Sequence, residues 1–522
     1  MNLVKYLEQH AARHPDRIGL YFEDRTWTYA QVDATMSRIA SGLRGLGLQK
    51  GDRVAVMLPN WPEFHFCTHA AWKLGAVEVP INTMYREEET SFILGNAEAS
   101  VVFAFPEAAR MIQGVRTELP SLKAVVAVGG DAPAGTMPFD ELLAQGDPVC
   151  LAPEMDPDDL AAIAYTSGTT GFPKGAMLSH YNLIISIQRM RDYLGLSERD
   201  NVMQALPCFH SNASLIGMIL AWFLGSSAIL VERIESRKFL ETVSRTRPAM
   251  FASVPTILYD ILHLPGEDVE SAFSSVRYVV FGAAPTGPEL RRRIEERFGL
   301  KVLQSYGMTE APNSVTFDPL VGRPNLDSVG LPMEHLTIKI VDEDDNALPI
   351  GEVGEICIGP RTDGPHAGLF KPMQGYWKSL EASISALKGG FYHTGDMGKL
   401  DEDGFLYVVD RKKDMIIRGG NNIFSAELER VLRTDERVEE VYVVGVPHER
   451  LGQVPKAYVV LKPGADAREE ELKELIAARL ARYKRLEHVE FVTRESLPRN
   501  ALGKVLKREL TARELAAYRV GH

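Results

Sequence analysis

The chain has 522 residues, of which 45% are hydrophobic and 25% are charged, and its formal net charge is −12. This length predicts two or more domains, and the negative charge disfavours non-specific binding to nucleic acids or anionic membranes. The four cysteines lack zinc-site spacing, and no segment resembles a signal peptide or reaches the roughly 20 apolar residues of a membrane span. We therefore expect a soluble, cytoplasmic protein with no transmembrane segment.

The first part of the chain alternates between helix-like and strand-like segments. A helical pattern at 29–46 precedes an apolar strand at 54–57, and a second helical pattern at 62–74 precedes a strand at 77–80. This alternation is typical of parallel α/β layers.

A glycine- and hydroxyl-rich loop follows, at 165–175. Its three glycines permit close backbone approach, and its four aliphatic hydroxyls and one lysine suit phosphate oxygens. The spacing is not that of a Walker loop, and the apolar residues on both sides predict that the loop joins two buried strands. A plain surface turn is the alternative for this composition.

The α/β pattern returns later in the chain, with a strand at 276–281, a turn at 282–285 and a helix at 289–298 that ends at Gly299. We expect the arginine run 291–293 to lie on a solvated face of that helix.

From about residue 336 the pattern changes to alternating strands joined by turns, which indicates antiparallel pairing. A compact α+β segment follows the charged residues 410–414, and it contains an amphipathic helix near 472–480. We place a domain boundary between residues 411 and 412.

Three further segments carry polar groups suited to a nucleotide. Residues 304–310 combine the aromatic Tyr306 with the carboxylate of Glu310, which suit base stacking and a Mg²⁺ ligand. Asp396 lies beside a glycine turn and suits ribose hydroxyls, and Lys504 lies on a basic loop. Each segment alone is also compatible with an ordinary turn or a surface charge.

Taken together, the order and wording of these segments resemble the adenylate-forming superfamily of acyl-CoA synthetases, adenylation domains and luciferases, over essentially the whole chain. The resemblance implies an α/β fold class. It has a large N-terminal domain, residues 1–411, of α/β layers plus a distorted β-barrel, and a small mobile α+β C-terminal domain, residues 412–522. It also implies an AMP-forming acid–thiol ligase that uses ATP, Mg²⁺ and coenzyme A.

The resemblance assigns roles at the nucleotide. Tyr306 stacks on the adenine, Thr309 contacts the α-phosphate, Glu310 holds Mg²⁺, and Asp396 and Arg411 hold the ribose. The β- and γ-phosphates lie in the loop from Thr166 to Lys174, and the adenine lies against the segment after 281; these residues are Thr166, Ser167, Gly168, Thr169, Thr170, Gly171, Lys174, Gly282, Ala283 and Ala284.

Catalysis and domain movement are also implied by the resemblance. Lys504 bridges the acyl carboxylate and the α-phosphate during adenylation, and His210 lies between the nucleotide and the acid. Lys413 is the hinge about which the C-terminal domain rotates. That rotation brings Gly419 and Gly420 to the tunnel of the pantetheine arm, where small residues leave room.

The implied acyl pocket is mostly apolar and has no lysine or arginine, which disfavours a dicarboxylic acid. Its predicted lining comprises Ser211, Asn212, Ala213, Ile216, Val280, Phe281, Gly307, Met308 and Asn313. We expect a fatty or alicyclic acid as substrate.

An aryl or hydroxycinnamoyl-type acid is the alternative substrate. Acyl transfer to a carrier protein is the alternative second step, and since the sequence continues only to residue 522 after Lys504, we expect such a carrier to be a separate protein. A degenerate, non-enzymatic binding protein is disfavoured by the presence of Lys504, Glu310 and Asp396. We expect a monomer or homodimer whose partners are small molecules.

Overall fold

The structure is a computed structural model. It describes residues 1–166, 173–263, 268–282, 288–312, 314–322, 324–418, 421–448, 451–480, 482–499, 503 and 505–521. The chain forms two compact units, the first comprising Met1–Ile338 with Ile358–His393 and the second Lys339–Cys357 with Thr394–His522. These two units do not test the predicted domain boundary between residues 411 and 412, which stays a prediction.

The strands follow one another along the chain as β1 (Ile18–Phe22), β2 (Arg25–Thr28), β3 (Arg53–Met57), β4 (Val77–Pro80), β5 (Ala99–Ala104), β6 (Ala124–Ala127), β7 (Met137–Pro138), β8 (Leu160–Thr166), β9 (Lys174–Ser179), β10 (Val202–Gln204), β11 (Ala228–Leu230), β12 (Met250–Ser253), β13 (Tyr278–Phe281), β14 (Lys301–Gly307), β15 (Ser314–Phe317), β16 (Leu331–Pro332), β17 (Leu336–Val341), β18 (Gly354–Pro360), β19 (Leu387–Lys388), β20 (Phe391–Leu400), β21 (Leu406–Arg411), β22 (Ile416–Arg418), β23 (Asn421–Ile423), β24 (Val438–His448), β25 (Gly452–Leu461) and β26 (His488–Phe491).

The α-helices are α1 (Val4–Arg13), α2 (Tyr29–Gly45), α3 (Pro62–Leu74), α4 (Glu87–Ala97), α5 (Pro106–Gly114), α6 (Phe139–Gln145), α7 (His180–Leu194), α8 (Ser211–Ser214), α9 (Leu220–Leu224), α10 (Ser236–Thr246), α11 (Pro255–Leu262), α12 (Asp268–Ala272), α13 (Pro288–Phe298), α14 (Leu380–Ala386), α15 (Ser425–Leu432), α16 (Glu469–Arg479) and α17 (Lys507–Gly521). A π-helix, Leu215–Ile219, joins α8 to α9. Within the described ranges, no helix has the length and hydropathy needed to cross a membrane.

Two sheets organise the first unit. One has seven strands in the order β7-β6-β5-β3-β4-β8-β9, and the other has nine in the order β16-β15-β14-β13-β12-β10-β11-β1-β2. The inner strands are parallel, and helices connect them as the alternating sequence pattern predicted. β8 and β9 form an antiparallel edge, with Thr166 directly opposite Lys174.

Local sequence signals explain several element ends. α3 begins at Pro62, whose missing N–H is unneeded in the first turn, and ends before Gly75 at φ +73°. α2 and α7 begin with capping boxes in which Thr28 and Ser179 each accept a hydrogen bond from the backbone three residues on. These signals hold the helices that flank β3 and β9.

The helix α13 corrects one prediction about surface charge. Arg291 is 6% exposed, and its guanidinium lies 2.6 Å from the carboxylate of the buried Asp318. Arg292 and Arg293 lie on the exposed face, as predicted. Arg291 is therefore buried because it pairs with Asp318, which lies 27 residues further along the chain.

The second unit contains a five-stranded α+β sheet in the order β23-β22-β25-β24, with β26 beside β25. Leu472 and Ile476 of α16 pack in its core with Leu428 of α15, as the amphipathic pattern predicted. Leu480 lies just beyond α16 in an extended conformation, so the predicted helix was one residue too long. β20 also pairs antiparallel with β21, from Asp396 opposite Arg411 to Leu400 opposite Leu406.

Candidate active site

The centre of the candidate site is the buried carboxylate of Glu310, which follows strand β14. The hydroxyl of Thr166, the last residue of β8, donates a 2.9 Å hydrogen bond to Oε1 of Glu310. The carboxyl ends of β8 and β14, which belong to different sheets, therefore meet at this carboxylate. Ligands of α/β proteins bind at such strand ends, and both residues were predicted to contact ATP or its metal.

Tyr376 also contacts Glu310, and sequence reasoning did not identify it. Its hydroxyl donates to Oε1 of Glu310 over 3.1 Å, and the ammonium of Lys174 lies 5.4 Å from the centre of its ring. The two residues at the ends of the phosphate loop, Thr166 and Lys174, are thus both linked to Glu310, the second through Tyr376.

Tyr376 belongs to residues 373–377, which we call the strap because they run along β9 and back to Glu310. Four backbone hydrogen bonds join the strap to β9 and to Glu310, from Gln374 N to Met177 O (2.8 Å), from Met177 N to Gly375 O (2.9 Å), from Trp377 N to Gly175 O (2.7 Å) and from Met373 N to Glu310 O (2.7 Å). It therefore extends the edge of the seven-stranded sheet and fixes the main chain at Glu310.

Asn96, at the end of α4, supports both sides of the loop. Its side-chain oxygen accepts a 2.6 Å hydrogen bond from the hydroxyl of Tyr165, the residue before Thr166. Its main-chain oxygen accepts a 3.0 Å bond from the indole of Trp377 in the strap. One residue thus braces the strand that enters the loop and the strap beside the strand that leaves it.

Tyr392 is a buried tyrosine close enough to Glu310 to feel its charge, and it was also missed. It is 4% exposed. Burial, followed by the negative charge of Glu310, raises the pKa of Tyr392 well above its ordinary value, so its phenol is uncharged.

Residues 206–210, which end at His210 and which we call the gate segment, are held by buried amide side chains. Cys208 N donates to Oδ1 of Asn60 over 2.8 Å, and the amide of Gln204 donates to Sγ of Cys208 over 3.3 Å. Burial raises the pKa of the Cys208 thiol well above its usual value, as is typical of a small packing residue and not of a nucleophile.

Gln204 also contacts the π-helix. Its Oε1 accepts a 3.1 Å hydrogen bond from Met218 N. Gly217 has φ −105° and ψ −111°, outside the helical region, and a Cβ there would lie 2.7 Å from the Gln204 side chain. Gln204 thus binds an amide that the irregular turn exposes, and links the gate segment to the predicted acyl-pocket helix.

His210 has a half-buried ring whose Nε2 has no hydrogen-bond partner in the described part of the chain. Burial lowers its pKa to about 4, so the imidazole is neutral at physiological pH. An unpartnered buried ring nitrogen fits the predicted position of His210 beside a ligand, although that role remains a prediction.

The predicted acid-binding residues of β13 face opposite sides of the sheet. Val280 lies opposite Ala252 of β12, which shares a face with Met250 two residues before it. Met250 lies opposite Val202 of β10, which shares that face with Gln204. Val280 therefore lies on the same face as Gln204, the face that carries the π-helix. Phe281 instead packs in the core cluster on the other face. Phe281 could thus contact the acid only through its backbone, because its side chain points to the other face.

Seven other predicted residues of the first unit are also placed. Ala213 and Ile216 are 6% and 8% exposed, in α8 and in the π-helix. A Cβ at Gly282 would have no neighbour within 4 Å among the described residues, which leaves room for close ligand approach. Tyr306, Gly307, Met308 and Thr309 lead from β14 to Glu310.

In the second unit, the structure pairs the two residues predicted to hold the ribose. Nε of Arg411 lies 2.6 Å from Oδ1 of Asp396, and the Asp396 side chain is buried whereas that of Arg411 is half exposed. The preceding Gly395 has φ +69° and donates its N–H to Glu355 Oε1 over 3.1 Å. This turn presents Asp396 beside Arg411.

Several predicted residues lie outside the described residues, namely Ser167, Gly168, Thr169, Thr170, Gly171, Ala283, Ala284, Asn313, Gly419, Gly420 and Lys504. Ser211 and Asn212 belong to α8, and Lys413 belongs to the 3₁₀ turn Lys412–Asp414. The structure thus places the ends of the phosphate loop and not its centre, and the roles of these residues stay predictions.

Comparison with known proteins gives the class of this site. The AMP-binding enzyme family matches residues 7–377, and the AMP-binding enzyme C-terminal domain matches residues 427–504. The chain therefore belongs to the AMP-binding enzyme family, within the adenylate-forming superfamily that the sequence motifs indicated. It is an AMP-forming acid–thiol ligase that uses ATP and coenzyme A.

Similar proteins cover almost the full length. A long-chain-fatty-acid–CoA ligase of Bacillus subtilis is 33% identical over 99% of this chain and 95% of its own. A crotonobetaine/carnitine–CoA ligase of Salmonella choleraesuis is 32% identical over 98% of each chain. The crystal structure of the anthranilate CoA ligase AuaEII in complex with anthranoyl-AMP has a TM-score of 0.86 at 27% identity, over 99% of this chain and 98% of that one.

Proposed function

We propose that this ligase activates a mainly apolar fatty or alicyclic acid to its acyl-adenylate and then forms the acyl-CoA thioester with release of AMP. The observation that carries the proposal is the set of contacts that Glu310 makes with Thr166 and Tyr376, together with the contact of Lys174 with the ring of Tyr376, at strand ends of two sheets. This set supplies a hydroxyl, an ammonium and a buried carboxylate on a connected framework.

In the first step, the carboxylate of the substrate attacks the α-phosphorus of ATP, and the P–O bond to pyrophosphate breaks. We assign the β- and γ-phosphates to the loop that begins at Thr166 and ends with Lys174, and the α-phosphate to Thr309. Two anions approach each other in this step, so positive charge placed there lowers its barrier. We assign that charge to Lys504.

Glu310 fits the proposed Mg²⁺ ion. Among the described residues, no three His, Cys, Asp or Glu side chains form a ligand group. Mg²⁺ bound with a nucleotide is commonly held by one or two carboxylates together with phosphates and water, and one buried carboxylate at the loop ends meets this requirement. When bound, the ion supplies charge stabilisation at the phosphates.

The remaining nucleotide contacts follow the sequence motifs. We assign the adenine to the face of Tyr306 and to the backbone from Gly282, and the ribose hydroxyls to Asp396 and Arg411. The ion pair of these last two residues supports this assignment, because it holds a carboxylate acceptor and guanidinium donors side by side.

In the second step, the thiol of coenzyme A attacks the acyl carbon and AMP leaves. We propose that rotation about Lys413 withdraws Lys504 and brings Gly419 and Gly420 to the pantetheine arm. Lys504→Ala should then abolish adenylation and leave thioester formation from supplied acyl-adenylate largely intact, whereas Lys413→Pro should do the opposite. Equal loss of both steps in Lys504→Ala would refute the assignment of Lys504 to the first.

The acid is proposed from the residues around the π-helix. Ala213, Ile216 and Val280 are apolar and buried, and Val280 shares its sheet face with the residue that contacts the π-helix. The long-chain-fatty-acid–CoA ligase of Bacillus subtilis is consistent with this choice. An aryl acid is the second candidate, because the anthranilate CoA ligase superimposes over nearly the whole chain.

The proposal extends to location and assembly. The four cysteines are buried thiols, as expected for a reducing compartment, and we propose a cytoplasmic monomer or homodimer. A separate carrier protein is the alternative acceptor of the acyl group.

The decisive experiment has two parts. Pyrophosphate release is first measured with ATP, Mg²⁺ and a panel of aliphatic, alicyclic and aryl acids, with and without coenzyme A. Mass analysis of thioesters from a mixed acid pool then identifies the preferred acid. Activity confined to aryl acids would refute the proposed substrate class and would leave the reaction class intact.

A further inference from the structure

Tyr376 connects three groups that lie at different positions along the chain. Its hydroxyl donates to Oε1 of Glu310 at 3.1 Å, its ring faces the ammonium of Lys174 at 5.4 Å, and its backbone N–H donates to Oγ of Ser383 at 2.8 Å. A residue that only filled space would need neither of the two side-chain contacts.

The backbone around Tyr376 is fixed independently of its side-chain contacts. Its N–H donates to Oγ of Ser383 over 2.8 Å. The preceding Gly375 has φ +126°, which favours glycine, and a Cβ there would lie 2.9 Å from the same Oγ. With the strap paired to β9 on the other side, the ring and hydroxyl of Tyr376 have a defined position before any ligand binds.

The hydrogen bonds at Glu310 fall on one oxygen. Thr166 and Tyr376 both donate to Oε1, at 2.9 and 3.1 Å, and within the described residues neither donates to Oε2. Two neutral donors on one oxygen fix the carboxylate plane without neutralising its charge, so the second oxygen keeps its capacity to bind a cation.

We propose that Tyr376 is a positioning residue for the nucleotide-bound divalent cation, acting by holding the carboxylate of Glu310 through its hydroxyl and the ammonium of Lys174 through its ring. This inference rests on the proposed role of Glu310 as a metal ligand. It adds to the site a residue that the sequence analysis did not identify. It also separates two tasks of Tyr376, because the hydroxyl contacts the proposed metal ligand Glu310 and the ring contacts Lys174, which is assigned to the phosphates.

Two variants separate those tasks. Tyr376→Phe removes the hydroxyl and keeps the ring, whereas Tyr376→Leu removes both. Tyr181→Phe is the matched control, because the Tyr181 hydroxyl donates to a main-chain oxygen, Leu369 O, over 3.0 Å and not to a carboxylate, while its ring lies 5.0 Å from the ammonium of Lys371.

The test measures binding without turnover. Mn²⁺, as a probe for Mg²⁺, is titrated by electron paramagnetic resonance into each full-length variant saturated with a non-hydrolysable ATP analogue. Binding of the same analogue is also measured with the metal removed by EDTA. We expect Tyr376→Phe to weaken Mn²⁺ binding about tenfold and metal-free nucleotide binding less than about twofold, as loss of one hydrogen bond to a charged group predicts.

Tyr376→Leu should weaken both kinds of binding, and Tyr181→Phe should weaken neither. Unchanged Mn²⁺ affinity in Tyr376→Phe, or equal losses with and without metal, would overturn the inference. Glu310→Gln distinguishes the two levels of the argument. If it leaves Mn²⁺ binding intact, the proposed metal role of Glu310 fails; if it weakens binding while Tyr376→Phe does not, only the inference about Tyr376 fails.

Discussion

Glu78 is a buried carboxyl group whose titration should change stability with pH. It lies in β4 opposite Ala162 of β8, is 8% exposed and accepts a 2.8 Å hydrogen bond from the Thr68 hydroxyl. Burial raises its pKa from 4.5 to about 7. The perturbation we consider is Glu78→Gln, which keeps an oxygen acceptor for Thr68 and removes the charge.

The direction in which stability changes with pH depends on whether the folded or the unfolded protein releases the Glu78 proton at the lower pH. As pH rises from 4.5 to about 7, the unfolded chain releases the proton of Glu78 while the folded protein keeps it, so the stability of the wild type falls through that window. The pKa difference corresponds to about 3 kcal/mol at full effect, at about 1.4 kcal/mol per pH unit. Glu78→Gln has no titrating proton at this position, so its free energy of unfolding does not fall in this window.

The assay is urea unfolding followed by the fluorescence of the first unit, whose Trp72 and Trp222 are buried. Relative to the wild type, Glu78→Gln should gain about 3 kcal/mol at about pH 8 and only about 1 kcal/mol at about pH 5. Glu241→Gln, which removes an exposed carboxyl group of α10, should show no such pH dependence. A stability difference that is the same at both pH values would refute the reasoning.

Three other substitutions test the site and its support. Thr166→Val should lower the rate of pyrophosphate release about tenfold or more, because the bond to Glu310 is charge-assisted, and Thr166→Ser should restore most of it; a serine variant no better than valine would contradict this. Arg291→Met should destabilise the protein by about 3–5 kcal/mol in urea unfolding, since it leaves a buried carboxylate unpaired, whereas Arg292→Met should leave the unfolding midpoint unchanged. Gln204→Leu should raise the KM for the acid and not that for ATP, measured by pyrophosphate release, because Gln204 contacts the gate segment and the π-helix as well as the buried His65.

Elements with local signals were predictable from the sequence. The helix at 62–74 was predicted with its observed ends, because a proline opens it and a glycine closes it. The loop at 165–175 was predicted to join two buried strands, and β8 and β9 confirm this. Glu310 was recognised from a motif in which every residue is close along the chain.

Contacts between distant segments were not predictable in the same way. Tyr376 follows Glu310 by 66 residues, and the strap is not part of a named strand, so no periodic pattern marks it. A Gly-Tyr-Trp sequence was the only local signal. Arg291 was placed on a solvated face because its partner Asp318 lies on another segment, and Gln204 is a single polar residue in a short strand whose role depends on an irregular helix turn.

The π-helix at Leu215–Ile219 has a consequence for how acid preference evolves in this chain. A π-turn carries one residue more than the α-helical turn it replaces, and here Gly217 and the amide bond to Gln204 accommodate that extra residue. Because the irregular turn absorbs the extra residue, its removal would restore regular winding and leave the following side chains of the segment on the faces they occupy now. A single-codon deletion would thus change the wall of the proposed acid pocket only at the turn that Gln204 binds, and would keep the register of α9.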